Sequence, residues 1–192
     1  MPATTRPNEP DIDPKRHLTT HQVSRMIEQH SALHYSNKVG FLVARQIDGS
    51  RQILQHGTLD LQLGLIEDRW YKEPNRNINE QIAAMNHQVA QTIANQQSLT
   101  LYGDGLFLDI DMSKKNLPIG SVLHINQCTL QVTVEPHNPC SKFRNRFGHA
   151  AFKACMTQKH LNLRGVYLKV IHGGTIQIGE LIEVEVYRPP FN

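Results

Sequence analysis

Residues 121–135, SVLHINQCTLQVTVE, decide the fold. They hold two short runs, SVLHINQ and TLQVTVE, rich in Val, Ile and Thr, the residues that favour a pleated, half-buried surface. Read as strands, they form a hairpin with Cys128 inside its apolar rhythm. The same composition recurs in LFLDIDM (106–112), GVYLKVI (165–171) and ELIEVEVY (180–187). Leu117-Pro118, Gly120, Gly173-Gly174 and Gly179 punctuate these runs as turns. Short strands separated by turns predict a mainly β fold, a closed barrel or sandwich, over a parallel α/β sheet.

Working outward, FLVARQI (41–47), Asp48-Gly49 and RQILQHG (51–57) read as another hairpin. In LDLQLGLIEDRW (59–70), Leu59, Leu61, Leu63 and Leu65 alternate with polar or small residues, as in one half-buried strand. A few short helices complete the pattern. Val23, Met26, Ile27 and Leu33 recur at helical spacing after Thr19 or Thr20 as N-cap, predicting a helix over about 20–34. HQVAQTIAN (87–95) predicts a short helix capped by Asn86, with Val89 and Ile93 inward. Between Ser141 and Gln158, the residues Phe143, Phe147, Ala151, Ala154 and Cys155 mark a third.

The 192 residues fit a single domain spanning 19–192 behind a flexible arm, 1–18, in which Pro2, Pro7, Pro10 and Pro14 discourage regular structure. A chain of this size buries enough surface to fold without disulfide or metal. Net charge of +3 is too small to imply nucleic acid. No apolar run approaches the ~20 residues of a membrane span. Three cysteines without a secretory signal suggest free thiols and a cytoplasmic location.

The segment VEPHNPCSKFRNRFG (134–148) draws the chemistry together. A strand ends near Pro136, a loop carries His137, Asn138 and Pro139, and Cys140 falls where a helix begins. Helix-terminal N–H groups and the cations Lys142, Arg144 and Arg146 would surround that thiol, favouring the thiolate that binds soft metals. The same groups suit a phosphate. Two other readings stand beside this one. Cys140 is a small packing residue, as Cys128 and Cys155 are expected to be; or His137 and Cys140, with Cys155 and His160, bind zinc, although their spacing matches no common zinc module. There is no nucleophile elbow, P-loop or dinucleotide fingerprint. Asp109 and Asp111 are expected to face solvent from one strand.

Four stretches, LDLQLGLIEDRW, GDGLFLDIDMSKKNLPIGSVLHI, VEPHNPCSKFRNRFG and LRGVYLKVIHGGTIQIGELIEV, come in an order that resembles the MOSC domain, named for the C-terminal part of molybdenum cofactor sulfurases. The resemblance covers about 59–186. It implies a closed β-barrel with peripheral helices, and it implies that Cys140 is the family's characteristic cysteine, a molybdenum ligand beside a pterin dithiolene or a residue of sulfur handling. A soft thiolate suits either role. On charge, Lys142, Arg144, Arg146 and Arg164 are expected to anchor the pterin phosphate, with His137 and Asp68 beside the cofactor. Two departures are visible: Glu67-Asp68 and Gly179-Glu180 stand where related domains have Gly-Asp. The expectation is thus a molybdenum cofactor protein reducing N-hydroxylated or related nitrogen–oxygen compounds. An external protein would supply electrons, since the sequence shows no flavin or iron–sulfur motif. Pyridoxal phosphate is not expected. The alternatives are a persulfide or cofactor carrier acting through Cys140, and a non-catalytic ligand-binding module.

Overall fold

The computed structural model describes residues 11–189. Helix α1 (Thr20–Gln29) leads into β1 (Lys38–Arg45), β2 (Arg51–Leu54), β3 (His56–Asp60), β4 (Gly64–Leu65) and β5 (Ile82–Asn86). Then come α2 (His87–Ala94), β6 (Leu106–Asp109), β7 (Val122–Ile125), β8 (Cys128–Val132), α3 (Ser141–Thr157), β9 (Val166–His172), β10 (Gly174–Gln177) and β11 (Ile182–Glu185). No helix among these residues is long and apolar enough to cross a membrane. Residues 1–10 of the expected arm lie outside the described residues. Within 11–18, Asp13 N–H donates to Gln97 Oε1 at 2.9 Å, and Leu18 is buried.

The hairpin read from residues 121–135 forms as β7 and β8, with Val122 opposite Gln131 and Ile125 opposite Cys128. Its inward rhythm is Leu123, Ile125, Cys128, Leu130 and Val132, all buried. The hairpin is part of an eight-stranded sheet in the order β11-β7-β8-β9-β5-β6-β1-β2. β10-β3-β4 form a second, three-stranded sheet. Within the large sheet β5 and β6 pair parallel, joined by α2 as crossover.

The large sheet curls strongly but does not close, so the expected closed barrel is a half-barrel. The reason lies in how β1 divides its edge. Leu42–Arg45 pair with β2, leaving only the start of β1 to meet the chain ahead of β11. There the contact is one bridge, Lys38 to Leu181, and three backbone hydrogen bonds. These run from Val39 N–H to Glu180 O (3.0 Å), Gly179 N–H to Val39 O (2.8 Å) and Ile182 N–H to Asn37 O (2.8 Å). β2 keeps an open edge.

Alternation along the strands feeds two cores. Leu42, Leu106 and Leu108 point into the curl with Leu123, Leu130 and Leu168. Val43 and Phe107, their sequence neighbours, point outward beneath Val89 and Ile93 of α2 and Phe143 and Phe147 of α3. The helices start as the sequence predicts: Thr19 and Gln22 form a capping box, and Asn86 Oδ1 accepts from Val89 N–H at 2.8 Å. α3 bends at Gly148, whose φ is 87° and ψ 167°.

Three expectations change. The Leu59–Trp70 stretch is not one strand, because Asp60 Oδ1 accepts from Gln62 N–H (2.8 Å) and Leu63 N–H (2.9 Å) and turns the chain back. Leu61 is consequently exposed. Gly174, expected in a turn, begins β10 opposite Leu59. Asp109 does not simply face solvent; it accepts from Ser36 Oγ at 2.5 Å and Gln88 Nε2 at 2.6 Å, and these bonds hold its carboxyl below the usual range against the opposing effect of burial.

Gly165 and Gly179 share a φ of +90° but differ in surroundings. A Cβ on Gly165 would lie 1.9 Å from the Ala84 carbonyl oxygen, whereas nothing lies within 4 Å of one on Gly179. Gly165→Ala should therefore destabilise by more than ~3 kcal/mol and Gly179→Ala by about 1–2 kcal/mol, measured by urea denaturation. Equal losses would contradict the steric account.

Candidate functional site

The site is assembled where β8 gives way to α3. Past Val132 the chain leaves the ladder, and Thr133 Oγ1 donates to Asn79 O at 2.6 Å. Pro136 and Pro139 offer no N–H to another strand, so the stretch crosses the sheet's end as a loop. Cys140 is the N-cap of α3, with φ −103° and ψ 179°. Its thiol is exposed and makes no capping bond. Ser, Thr, Asp or Asn would cap better by about 1 kcal/mol, so the cysteine is not there for the helix.

Cys140 opens into a cavity of about 200 Å³. Arg45, Arg51, Arg69, Lys142, Arg146 and Arg164 share its lining, and no acidic residue among the described residues does. Carboxylates touch several of these cations: Asp68 lies on Arg45, Asp104 on Arg164 and Glu73 on Arg69. Six cations thus line one small concave space. Such a space concentrates anions.

Each guanidinium is aimed by the fold. Arg45, on β1, meets Asp68 in a fork: Nε donates at 2.9 Å and Nη2 at 2.8 Å. Asp68 also accepts from Arg45 N–H at 2.7 Å and Trp70 N–H at 2.8 Å. Arg51, on β2, lies opposite Arg45 in register. Arg146, in the first half of α3, donates through Nη1 to Leu101 O at 2.8 Å. Arg164 Nη1 lies 2.7 Å from both oxygens of Asp104, which is completely buried. The Arg164 guanidinium also covers the Phe143 ring, 5.2 Å from its centroid. Burial opposes the charge on Arg164, but Asp104 outweighs it and holds the guanidinium protonated.

Of the residues singled out in the sequence, Cys140, Lys142, Arg146 and Arg164 meet at this cavity. Arg144 points elsewhere, over the Phe152 ring at 5.9 Å. Asp68 lies behind the wall and acts through Arg45. His137 lines a different, larger cavity, its ring 4.3 Å from that of Tyr167. Burial, with Arg164 and Arg45 adding to it and Asp104 opposing, pushes the His137 imidazole down to about 3. It is neutral, so its 3.7 Å approach to Asp104 is no ion pair.

The zinc quartet does not assemble. Cys140 and His137 open to different cavities, and no group of three or more His, Cys, Asp or Glu among the described residues could hold a metal. Burial pushes the Cys155 thiol up to about 12 and that of Cys128 to about 11, as packing residues.

Sequence reasoning missed Arg45, Arg51, Arg69 and Asp104. A signal existed for two of them: Arg45 and Arg51 flank the Asp48-Gly49 turn, and hairpin register sets them side by side. Asp104 looked like a turn residue between two glycines, and only its burial reveals a counter-ion.

The MOSC domain family profile matches residues 54–183. No curated protein matches the chain. Among solved structures, the YuaD protein from Bacillus subtilis superposes with TM-score 0.59 at 18% identity, over 79% of this chain and 96% of that one. YiiM from Geobacillus stearothermophilus gives 0.55 at 15%, over 80% and 76%. YiiM from Escherichia coli gives 0.53 at 18%, over 79% and 70%. At such identities these likenesses establish a shared fold.

Two outcomes are expected. Asp104→Asn strands the Arg164 charge in the interior and should destabilise by about 3–5 kcal/mol in urea denaturation; a loss under ~1 kcal/mol would contradict the anchoring role. His137 gains a proton near 6.5 when unfolded but only near 3 when folded, so its contribution is complete above pH 6.5 and is lost as pH falls toward 3. Between pH 7 and 4 the stability of wild type should therefore fall by about 3 kcal/mol more than that of His137→Asn. Parallel pH profiles would show His137 to be accessible to protons.

Proposed function

The chain belongs to the MOSC domain family, and we propose that it binds molybdenum cofactor and uses it to reduce N-hydroxylated bases or related nitrogen–oxygen compounds. The observation that carries this reading is the opening of the Cys140 thiol into the same 200 Å³ cavity as six cations.

The donor set fits the group. A soft, sulfur-bound metal takes a thiolate, and Cys140 is exposed with no side-chain capping bond to break. A phosphate takes guanidinium and ammonium groups, and Arg51, Arg69 and Lys142 line the cavity. Arg164 retains a buried Nε that no protein group accepts from. When bound, the cofactor supplies the two-electron redox centre. The protein holds and orients it: Cys140 as ligand, and Arg45 and Arg164 fixed in advance by Asp68 and Asp104. Preorganised in this way, the cations lose little rotamer freedom on binding. Electrons would come from a separate carrier protein, and free thiols suit a reducing cytoplasm.

One observation favours a second reading. The exposure of Cys140 leaves its sulfur open to a partner, as a persulfide carrier requires.

Protein purified from a host that makes the cofactor should carry about one molybdenum and one pterin per chain by elemental analysis and fluorescence. Cys140→Ala should lose the metal, and Arg51→Gln with Lys142→Gln should weaken pterin retention about tenfold. Wild type free of both metal and pterin would overturn the proposal. A mass gain of one sulfur on Cys140, without metal, would establish the carrier instead.

A further inference from the structure

The proposed cofactor site leaves the larger cavity without a role. It measures about 580 Å³, within the range of sites that enclose organic ligands. Arg164 lines both cavities, while Cys140 lines only the smaller and His137 only the larger. Leu117, Pro118, Val132, Val134, Val166 and Tyr187 make its walls apolar and offer flat proline and tyrosine faces.

Its charges are few and lopsided. Lys114 and Lys159 are exposed cations on the lining, and Glu135 is the one acid there among the described residues. Glu135 already accepts from Asn77 Nδ2 at 3.2 Å. Lys159 Nζ is held by Asn138 Oδ1, which fixes that ammonium over the lining loop. Arg164 is neutralised by Asp104. The remaining charges are those of two lysines and Glu135, a surplus of one positive charge beside an apolar hollow. Inside, the side chain of His137 is only 4% exposed, and its Nδ1 is sealed on the Asp104 side without a hydrogen-bond partner. Nε2 is the nitrogen left to the cavity, a neutral polar atom set in an apolar wall. An apolar pocket with few, fixed polar groups specifies orientation more than it adds affinity.

We propose that this cavity binds an organic monoanion with an apolar ring system, an aromatic carboxylate, its head at Lys114 and Lys159 and its ring against Pro118, Val134 and Tyr187. His137 Nε2 meets a hydroxyl or ring nitrogen where the ligand has one. The site is separate from the proposed cofactor cavity and does not depend on Cys140.

Titration with 2-naphthoate, followed by ligand fluorescence, tests this against neutral 2-naphthylmethanol and cationic 2-naphthylmethylamine. The carboxylate should bind about fivefold or more tightly than the alcohol, the scale of a partly exposed ion pair, and the amine weakest. Lys114→Gln with Lys159→Gln should abolish the preference while retaining alcohol binding. Val134→Trp, at a wall position 64% exposed and tolerant of bulk, should weaken both ligands. Cys140→Ala should change neither, which separates this outcome from the fate of the cofactor reading. Equal binding of the three ligands would overturn the proposal. So would binding that survives Val134→Trp but falls in Lys142→Gln, or a carboxylate Kd weaker than about 1 mM. Circular dichroism of each variant confirms that it folds.

Discussion

Asp104 and Arg164 form the interaction on which the rest of the structure depends. Asp104 lies in the turn that delivers β6, and Arg164 lies just ahead of β9. β6 and β9 are the two neighbours of β5, which pairs parallel with β6 and antiparallel with β9. The ion pair thus joins the segments that lead into the two strands flanking β5, one of them its parallel partner. Its desolvation is expensive, and an apolar pair of equal volume would stabilise as well or better. What the apolar pair could not do is set a fixed guanidinium on the lining of two cavities at once.

The cationic cavity is assembled at the expense of stability. Six like-charged groups around a small space repel one another, and Asp68, Asp104 and Glu73 each ion-pair with one of them. The helix beside it begins on a cysteine that does not cap it. Residues that serve the fold poorly concentrate here, whereas Thr19 and Asn86 cap α1 and α2 by the ordinary rules. That contrast points to function on physical grounds alone, since local rules break where a site needs them broken.

Much of this was legible in the sequence and some was not, for identifiable reasons. β7, β8 and β9 announce themselves because β-branched residues recur along them. β5, IAAMN, is buried on both faces and has one β-branched residue, so nothing in its composition distinguishes it. The alternation of Leu59 to Leu65 was real, but Asp60 turned the chain within it. At the site, Cys140 and Lys142 were visible because they are neighbours in the chain. Arg45, Arg51 and Arg69 come from strands and a turn some 70–95 positions earlier, and only the fold brings them to Cys140. Asp104 was hidden by its glycine neighbours, which look like a turn whether or not the residue between them is buried.

The seam of the half-barrel bears on how the chain is made. Its hydrogen bonds link Asn37 and Val39 with Gly179, Glu180 and Ile182, segments separated by most of the chain. On a ribosome, the β1–β2 hairpin emerges early and must wait for nearly all of the remaining chain before that edge is met. During the wait it can already hold β6, which pairs with β1 from Lys38 to Leu42. The seam is then a closing step with a large loop entropy and few bonds to offset it. It joins segments about 140 positions apart, so the loop it closes is among the longest in the fold.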